Sequence, residues 1–173
     1  MSRQIFNYIL QFIVIILIQV LVCNNISILN IATPFIFIYL IIRLPITLHI
    51  NWVLTISFLI GLVVDIFSDT YGMNSLACTL TGGIRNFIIN LYLPRKDEIT
   101  DPVPSMKSLN IATYMKYAIT MIVCYCTFIV FIEFFTVRDI LSSLLRIFGS
   151  SILSFVLIIR IDSIVNTKNE KRL

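Results

Sequence analysis

The sequence contains very few of the side chains from which metal and catalytic sites are built. It has one histidine, His49, and four cysteines, without an HExxH pattern or a CxxC pair. These are the usual zinc-ligand arrangements, so no metal site is expected. Phosphate-binding loops and the GxGxxG and GxSxG patterns are also missing, which argues against nucleotide-dependent enzymes and familiar serine hydrolases.

Charge is also scarce. Only 13% of the 173 residues are charged, 58% are hydrophobic, and the mean hydropathy is +0.97. A soluble domain of this length needs far fewer apolar side chains to fill its core. Several spans of about 20 residues leave no room for a water-soluble domain, so residues 1–173 are predicted to form a single integral membrane domain.

Long apolar runs predict six transmembrane helices. Because the runs are continuous rather than alternating, the expected fold class is an all-α membrane protein, a six-helix bundle, and not a barrel. A polar loop, 94–110, follows the fourth helix, and a polar tail, 162–173, ends the chain. The predicted helices cover residues 5–22, 28–44, 48–67, 73–93, 111–135 and 140–161.

The basic residues are unevenly distributed over the predicted loops. With both termini inside, ten Lys and Arg residues fall on the cytoplasmic side, and only Arg138 falls in an outer loop. This positive-inside bias predicts a multi-pass protein with both termini cytoplasmic, and it accounts for the net charge of +4 without a nucleic-acid-binding surface. No small-residue cleavage site follows the first run, which we interpret as an uncleaved helix.

Two charged side chains inside the predicted spans need partners. An isolated charge in the bilayer costs about 3 kcal/mol, so Asp65 on the third helix and Arg85 on the fourth are not expected to face lipid. Helical side chains lean toward the N-terminus of their own helix, which in an antiparallel hairpin points these two toward each other. The hypothesis is an Asp65–Arg85 ion pair, with Asp69 and Arg146 as alternative partners.

Small residues are concentrated on the fourth helix, with a shorter patch on the sixth. Small side chains let helix backbones approach closely, so both patches are predicted to be packing surfaces, or a crevice for a ligand or a partner's helix. On the first helix, Asn7, Gln11 and Gln19 share a face and are expected to form interhelical hydrogen bonds. The two patches contain Ala77, Thr79, Gly82, Gly83, Gly149, Ser150 and Ser154.

A series of short motifs runs from the second to the fourth helix. A proline opens the second helix, an Arg-x-Pro step closes it, and Gly-x-x-x-Asp-x-x-Ser with a later glycine follows. The residues are Pro34, Arg43, Pro45, Gly61, Asp65, Ser68 and Gly72. Together they resemble the MreD family of rod-shape-determining membrane proteins. The small-residue helix leading to Arg85 and the break at Pro94 are most similar to members from the Bacteroidetes branch, whereas outside 34–95 only hydropathy, length and helix count match.

This resemblance implies a non-enzymatic scaffold in the bacterial inner membrane, acting in the lateral cell-wall elongation complex that maintains rod shape. The implied fold is similar to that of the substrate-binding subunits of energy-coupling-factor transporters. The implied partners are membrane lipid, an MreC-like protein, an MreB-like filament, and the elongation glycosyltransferase and transpeptidase pair, with no cofactor. Gly61, Asp65, Ser68 and Gly72, with Arg85, are expected to join the third and fourth helices. Asp69 and Thr70 stand where many relatives have small residues or glycine.

Two other functions remain open. A vitamin-type solute-binding subunit of a transporter has the same implied fold, and the small-residue helix could line its pocket, although the outer loops carry few polar groups. An intramembrane enzyme would use Asp65 as a general base. Such chemistry normally needs a second titratable group nearby, and an aspartate held ionised by an arginine is a poor base.

Overall fold

A computed structural model describes residues 11–23, 33–92, 103–105, 109–133 and 140–170, and over these residues the chain is helical without strands. The predicted ends at 5–10, 28–32, 93 and 134–135, most of the loop 94–110, and Asn7 lie outside the described residues. Helix α1 covers Gln11–Leu21, and its end is wound as a π-helix over Gln19–Cys23. The other helices are α2 (Ile38–Ile42), α3 (Ile50–Ser68), α4 (Met73–Tyr92), α5 (Ile111–Glu133) and α6 (Ile140–Glu170).

Three helices of the described residues are long and apolar enough to cross a membrane. They are α3, α5 and the Ser143–Val165 part of α6, with mean hydropathies of 2.1, 1.9 and 2.0. Their outward faces carry large exposed apolar side chains, such as Phe58, Phe131 and Phe148. Extended apolar surfaces of this kind are covered by lipid or by other proteins. The chain therefore has the character of a membrane protein.

Helix α4 has 20 residues, enough to cross a membrane, but it is more polar than α3, α5 and the Ser143–Val165 part of α6. It packs against α3 on one side and α5 on the other. Its buried face contains Asn74, Ser75, Thr81 and Arg85. Hydropathy averages over all faces of a helix, so polar residues that are covered by protein lower the value without exposing polar groups to lipid.

The second predicted helix differs from the observed chain. Residues 33–36 have no regular secondary structure, and α2 is helical only over Ile38–Ile42. Pro34 contributes to this break because it has no backbone N–H and disfavours helical geometry in the residue before it. The short helix nevertheless forms the centre of the bundle. Phe37, Tyr39 and Ile42 have no exposed surface, and α2 contacts α3, α4 and α5.

The last helix extends further than predicted. The sequence predicts a helix over 140–161 and a polar tail from 162, whereas α6 continues to Glu170. Asp162, the first residue of the predicted tail, is completely buried. The apolar run stops at this aspartate, but the helix does not, because Asp162 finds hydrogen-bonding partners inside the bundle.

Candidate functional site

A tight turn joins α3 to α4 and sets their register. Asp69 ends α3 in the left-handed conformation, with φ 54° and ψ 37°, which aspartate adopts more readily than most residues. Gly72 has φ 77°, and its carbonyl accepts a hydrogen bond from the Leu76 N–H at 3.1 Å. A side chain would be strained at that φ, so this position of the motif favours glycine.

Asp65 lies in the last turn of α3 and closes the start of α4. Its Oδ1 accepts hydrogen bonds from the Thr70 hydroxyl at 2.6 Å and from the N–H and side-chain amide of Asn74, both at 3.0 Å. Its Oδ2 accepts bonds from the Ser75 N–H at 2.8 Å and hydroxyl at 2.7 Å. These N–H groups belong to the first turn of α4, where a capping side chain is needed. The carboxylate thus caps a neighbouring helix, at the positive end of its dipole.

The same carboxylate anchors a network that reaches α5. Asn74 donates from its side-chain amide to Thr70 Oγ1 at 3.0 Å, and its Oδ1 accepts a hydrogen bond from the Tyr125 hydroxyl at 2.6 Å. Tyr125 and Asn74 are both buried. We call this network the Asp65 knot, and its members are Asp65, Thr70, Asn74, Ser75 and Tyr125. It joins α3, α4 and α5 at one end of the bundle.

The hypothesis of an Asp65–Arg85 ion pair is wrong. Asp65 is level with Ser75, and Arg85 lies ten residues further along α4, which is about 15 Å at ~1.5 Å per residue. Arg85 is completely buried and donates from Nη2 to the carbonyl of Leu44. Neither alternative pairing is formed: Asp69 is exposed in the turn after α3 whereas Arg85 is completely buried, and the guanidinium of Arg146 lies 3.5 Å from Glu133.

Two glycines allow α3 and α4 to pack with their backbones close together. A Cβ atom at Gly61 would lie 2.6 Å from the carbonyl oxygen of Asn74, so no side chain fits there. A Cβ at Gly82 would lie 2.9 Å from the Ser57 Cβ. The predicted packing surface on α4 is therefore used in part within the chain. Its other residues differ in exposure: Ala77 is buried, Thr79 is half-buried and Gly83 is exposed.

The small patch on α6 holds the non-helical segment, residues 33–36, that precedes α2. Ser150 Oγ accepts a hydrogen bond from the Thr33 N–H at 3.2 Å, and Ser154 Oγ accepts one from the Phe35 N–H at 2.8 Å. The two serines are four residues apart and so lie on the same helix face, while Gly149 beside them is half-buried. The patch supplies acceptors that an unbroken helix would supply from its own backbone.

Gln19 on α1 holds the same segment from the other side. Its amide donates to the Pro34 carbonyl at 3.0 Å and accepts a hydrogen bond from the Ile36 N–H at 2.7 Å. Gln19 is buried, as expected for the polar face of the first helix, but these bonds go to non-helical backbone and not to another helix. Irregular backbone inside a membrane domain needs this kind of protein partner, because lipid offers none.

A second polar cluster, which the sequence analysis did not identify, joins α2 to α6. The Tyr39 hydroxyl donates to Asp162 Oδ1 at 3.0 Å and accepts a hydrogen bond from Arg43 Nη1 at 2.9 Å. The same Arg43 nitrogen lies 4.0 Å from that carboxylate oxygen. The available signal was that an arginine and an aspartate occur at the same predicted end of the bundle, where burial would pair them.

A crevice of about 300 Å³ lies beside the Asp65 knot. This is the lower end of the size range of small-ligand pockets, roughly 300 to 1,000 Å³. Phe35 and Phe37 contribute aromatic surface, and Ser68 of the predicted motif is in the wall. The other polar residues of the wall are Gln19, Thr33, Thr70, Asn74 and Glu133. Within the described residues, no group of three or more His, Cys, Asp and Glu side chains is placed to hold a metal ion.

Comparisons with protein-family models, with curated proteins and with solved structures found no match. The resemblance to the MreD family therefore rests on the motif residues alone and stays a prediction. Of these residues, Gly61, Asp65 and Gly72 meet at the α3–α4 hairpin, and Ser68 lies close by in the wall of the crevice. Arg85 lies toward the opposite end of α4, beside the end of α2.

Proposed function

We propose that this chain is a non-enzymatic scaffold of the lateral cell-wall elongation complex, similar to the MreD family, in a bacterial inner membrane. It crosses the membrane six times with both termini in the cytoplasm and holds partner membrane proteins in place. The partners are those that the motif resemblance implies, an MreC-like protein, an MreB-like filament and the glycosyltransferase and transpeptidase pair. The observation that carries the proposal is that Gly61, Asp65 and Gly72 meet at one hairpin and serve its architecture.

The hydrogen bonding of Asp65 supports an architectural role over a catalytic one. A carboxylate offers about four lone-pair positions. Five donors from Thr70, Asn74 and Ser75 already occupy the two oxygens. A general base needs a free acceptor position within reach of the substrate proton. The function of an intramembrane enzyme with Asp65 as its base is therefore disfavoured.

The outward face of α4 supports partner binding. Its exposed residues recur at helical spacing and form a stripe that α3 and α5 leave uncovered; we call it the α4 stripe. In its middle, Gly83 has no neighbour closer than 3.6 Å to the position of an added Cβ. A glycine within an apolar helix face lets a second membrane helix approach closely. The α4 stripe consists of Leu76, Leu80, Gly83, Phe87 and Leu91.

Site-specific photocrosslinking in living cells tests this assignment. A photoreactive residue at Leu80 or Phe87 is expected to capture a membrane protein of the elongation complex, because both positions flank Gly83. The matched control is Ile152, which is 65% exposed on α6 and is expected to capture lipid. Capture of lipid alone from the stripe would contradict partner binding there. Depletion of the protein is expected to give rounded cells, and unchanged rods would overturn the proposed function.

The crevice beside the Asp65 knot favours one alternative, a solute-binding subunit of a transporter. Its volume of about 300 Å³ and its mixed aromatic and polar wall suit a small vitamin-like molecule. The purified protein would then retain a water-soluble vitamin at a stoichiometric level, which mass spectrometry of the denatured sample detects. Depletion would cause a growth defect that added vitamin relieves, with no change in cell shape.

A further inference from the structure

The end of the bundle opposite the Asp65 knot contains buried guanidinium groups with unsatisfied donors. Arg85 is completely buried, and the Arg43 side chain is 11% exposed. Among the described residues, neither Arg43 Nε nor Arg85 Nε and Nη1 has a hydrogen-bond partner. A guanidinium can only donate, so each of these N–H groups calls for an acceptor. Asp162 is the one carboxylate that the structure pairs with Arg43 in the described part of the chain.

A cavity of about 290 Å³ adjoins these groups, between α1, α2 and α3. Arg43 and Tyr39 form part of its wall, together with Leu44, whose carbonyl binds Arg85. The rest of the wall is mainly apolar and includes Leu40, Leu48 and Ile60. One water molecule occupies ~30 Å³ in the liquid, so the cavity has room for roughly ten groups of that size. It therefore suits a segment of a hydrocarbon chain.

We propose that this cavity binds an anionic phospholipid. The apolar wall takes part of an acyl chain, and the headgroup phosphate pairs with the guanidinium group of Arg43, a residue of the cavity wall. Phosphate is the acceptor that best matches the planar guanidinium group. Arg85, held behind Leu44, adds a second positive charge and strengthens the preference for a negatively charged headgroup. This inference uses only the cavity and its charges, and it does not depend on the proposed scaffold function.

An apolar wall and a cationic edge favour a lipid over a free anion. A small hydrated anion would have to give up its water to enter a cavity that offers few other polar partners. A lipid keeps its headgroup at the edge of the cavity and inserts only the chain. Arg43 directly follows the last residue of α2, close to the turn that leads into α3, and headgroups lie near the ends of membrane-embedded helices.

Native mass spectrometry of the full-length protein in an uncharged detergent tests the proposal. Phosphatidylglycerol and phosphatidylethanolamine with the same acyl chains are added in separate titrations. The expected result is one retained phosphatidylglycerol, bound at least tenfold more tightly than phosphatidylethanolamine. Arg43→Gln is expected to weaken that binding at least tenfold. The matched control is Arg160→Gln, which removes an exposed arginine of α6 two residues from Asp162 and should leave binding unchanged.

A second variant keeps the test decisive if Arg43→Gln does not fold, since Arg43 also pairs with Asp162. Leu48→Trp fills the cavity, leaves Arg43 in place, and is expected to weaken phosphatidylglycerol binding at least tenfold. Equal binding by the wild type and Leu48→Trp would overturn the proposal, as would equal affinity for the two lipids. Inorganic phosphate is the competitor in a third arm. Displacement of the lipid by millimolar phosphate would assign the site to a free anion and overturn the lipid assignment.

Discussion

The variant Asp65→Asn tests whether the Asp65 carboxylate stabilises the protein by capping α4 or by an ion pair with Arg85. The asparagine keeps one oxygen for the donors at Thr70 and Asn74, but its NH₂ group faces the two donors of Ser75. The Ser75 hydroxyl can rotate to accept a hydrogen bond, whereas its backbone N–H cannot and is left buried without a partner. An orphaned buried donor costs about 1 to 3 kcal/mol, and a bond to a charged group contributes about 1.5 to 3 kcal/mol. We expect a loss of about 3 kcal/mol in the free energy of unfolding.

A pair of double-mutant cycles identifies the partner of the carboxylate. Reversible unfolding in mixed detergent and SDS micelles, followed by far-ultraviolet circular dichroism, gives the free energy for each variant. Asp65→Asn and Ser75→Ala are expected to couple by about 1 to 2 kcal/mol because the two residues are bonded directly. Asp65→Asn and Arg85→Gln are expected to add within about 0.5 kcal/mol, since distant sites behave independently. A coupling above about 1 kcal/mol between positions 65 and 85 would refute the geometry of the Asp65 knot.

Three further substitutions, each with a matched control, are followed in the same unfolding assay. Gly61→Ala is expected to lower the free energy of unfolding by about 1 to 3 kcal/mol, because its Cβ would meet backbone atoms of α4. The control Gly83→Ala has room for the Cβ and is expected to gain up to about 1 kcal/mol from helix propensity. Equal stabilities of the two variants would contradict the close packing of α3 and α4. Ser154→Ala is expected to cost about 1 to 3 kcal/mol, because it leaves the Phe35 N–H without its acceptor. In the control Ser151→Ala, the hydroxyl that is removed has no hydrogen-bond partner among the described residues, so the stability should change little. A large effect of the control alone would contradict the hydrogen bond between Phe35 and Ser154. Asp162→Asn is expected to cost about 3 kcal/mol because it leaves Arg43 without its carboxylate. The control Asp69→Asn changes an exposed residue and is expected to stay within about 0.5 kcal/mol of the wild type. Similar losses in both variants would contradict the buried Arg43–Asp162 pair.

The positions of α3, α4 and α5 were predictable from the sequence, because each is a long apolar or small-residue run between turn signals. The start of α3 differs from its prediction by two residues, and the starts of α4 and α5 coincide with theirs. The importance of Asp65 was also predictable from its cost in lipid. Thr70, which departs from the family pattern, donates to Asp65.

The prediction of an Asp65–Arg85 ion pair is wrong because it uses side-chain direction without the register of the hairpin. Counting equal numbers of residues away from the turn at 69–72 places position 65 opposite about position 76, not 85. The sequence contained enough information for this count. It favours the first turn of α4, where free N–H groups await a capping acceptor.

The break before α2 and the length of α6 were not predictable by the same reasoning. Residues 33–36 are stabilised by Gln19, Ser150 and Ser154, and the serines are more than one hundred residues away in sequence. Apolar periodicity reports on one segment at a time and contains no information about such distant acceptors. The predicted end of α6 at residue 161 is wrong for the same reason, because the partner of Asp162, Tyr39, lies on the distant α2.

The bonds from Ser150 and Ser154 also set an order of events during synthesis. Phe35 emerges from the ribosome 119 residues before Ser154, which at about 5 to 20 residues per second is roughly 6 to 24 s. Through that interval the N–H groups of Thr33 and Phe35 lack the serine hydroxyls of α6 that accept their hydrogen bonds. Residues 33–36 thus reach their final arrangement only after α6 has been synthesised, and a chain truncated after α5 would leave the N–H groups of Thr33 and Phe35 without these acceptors.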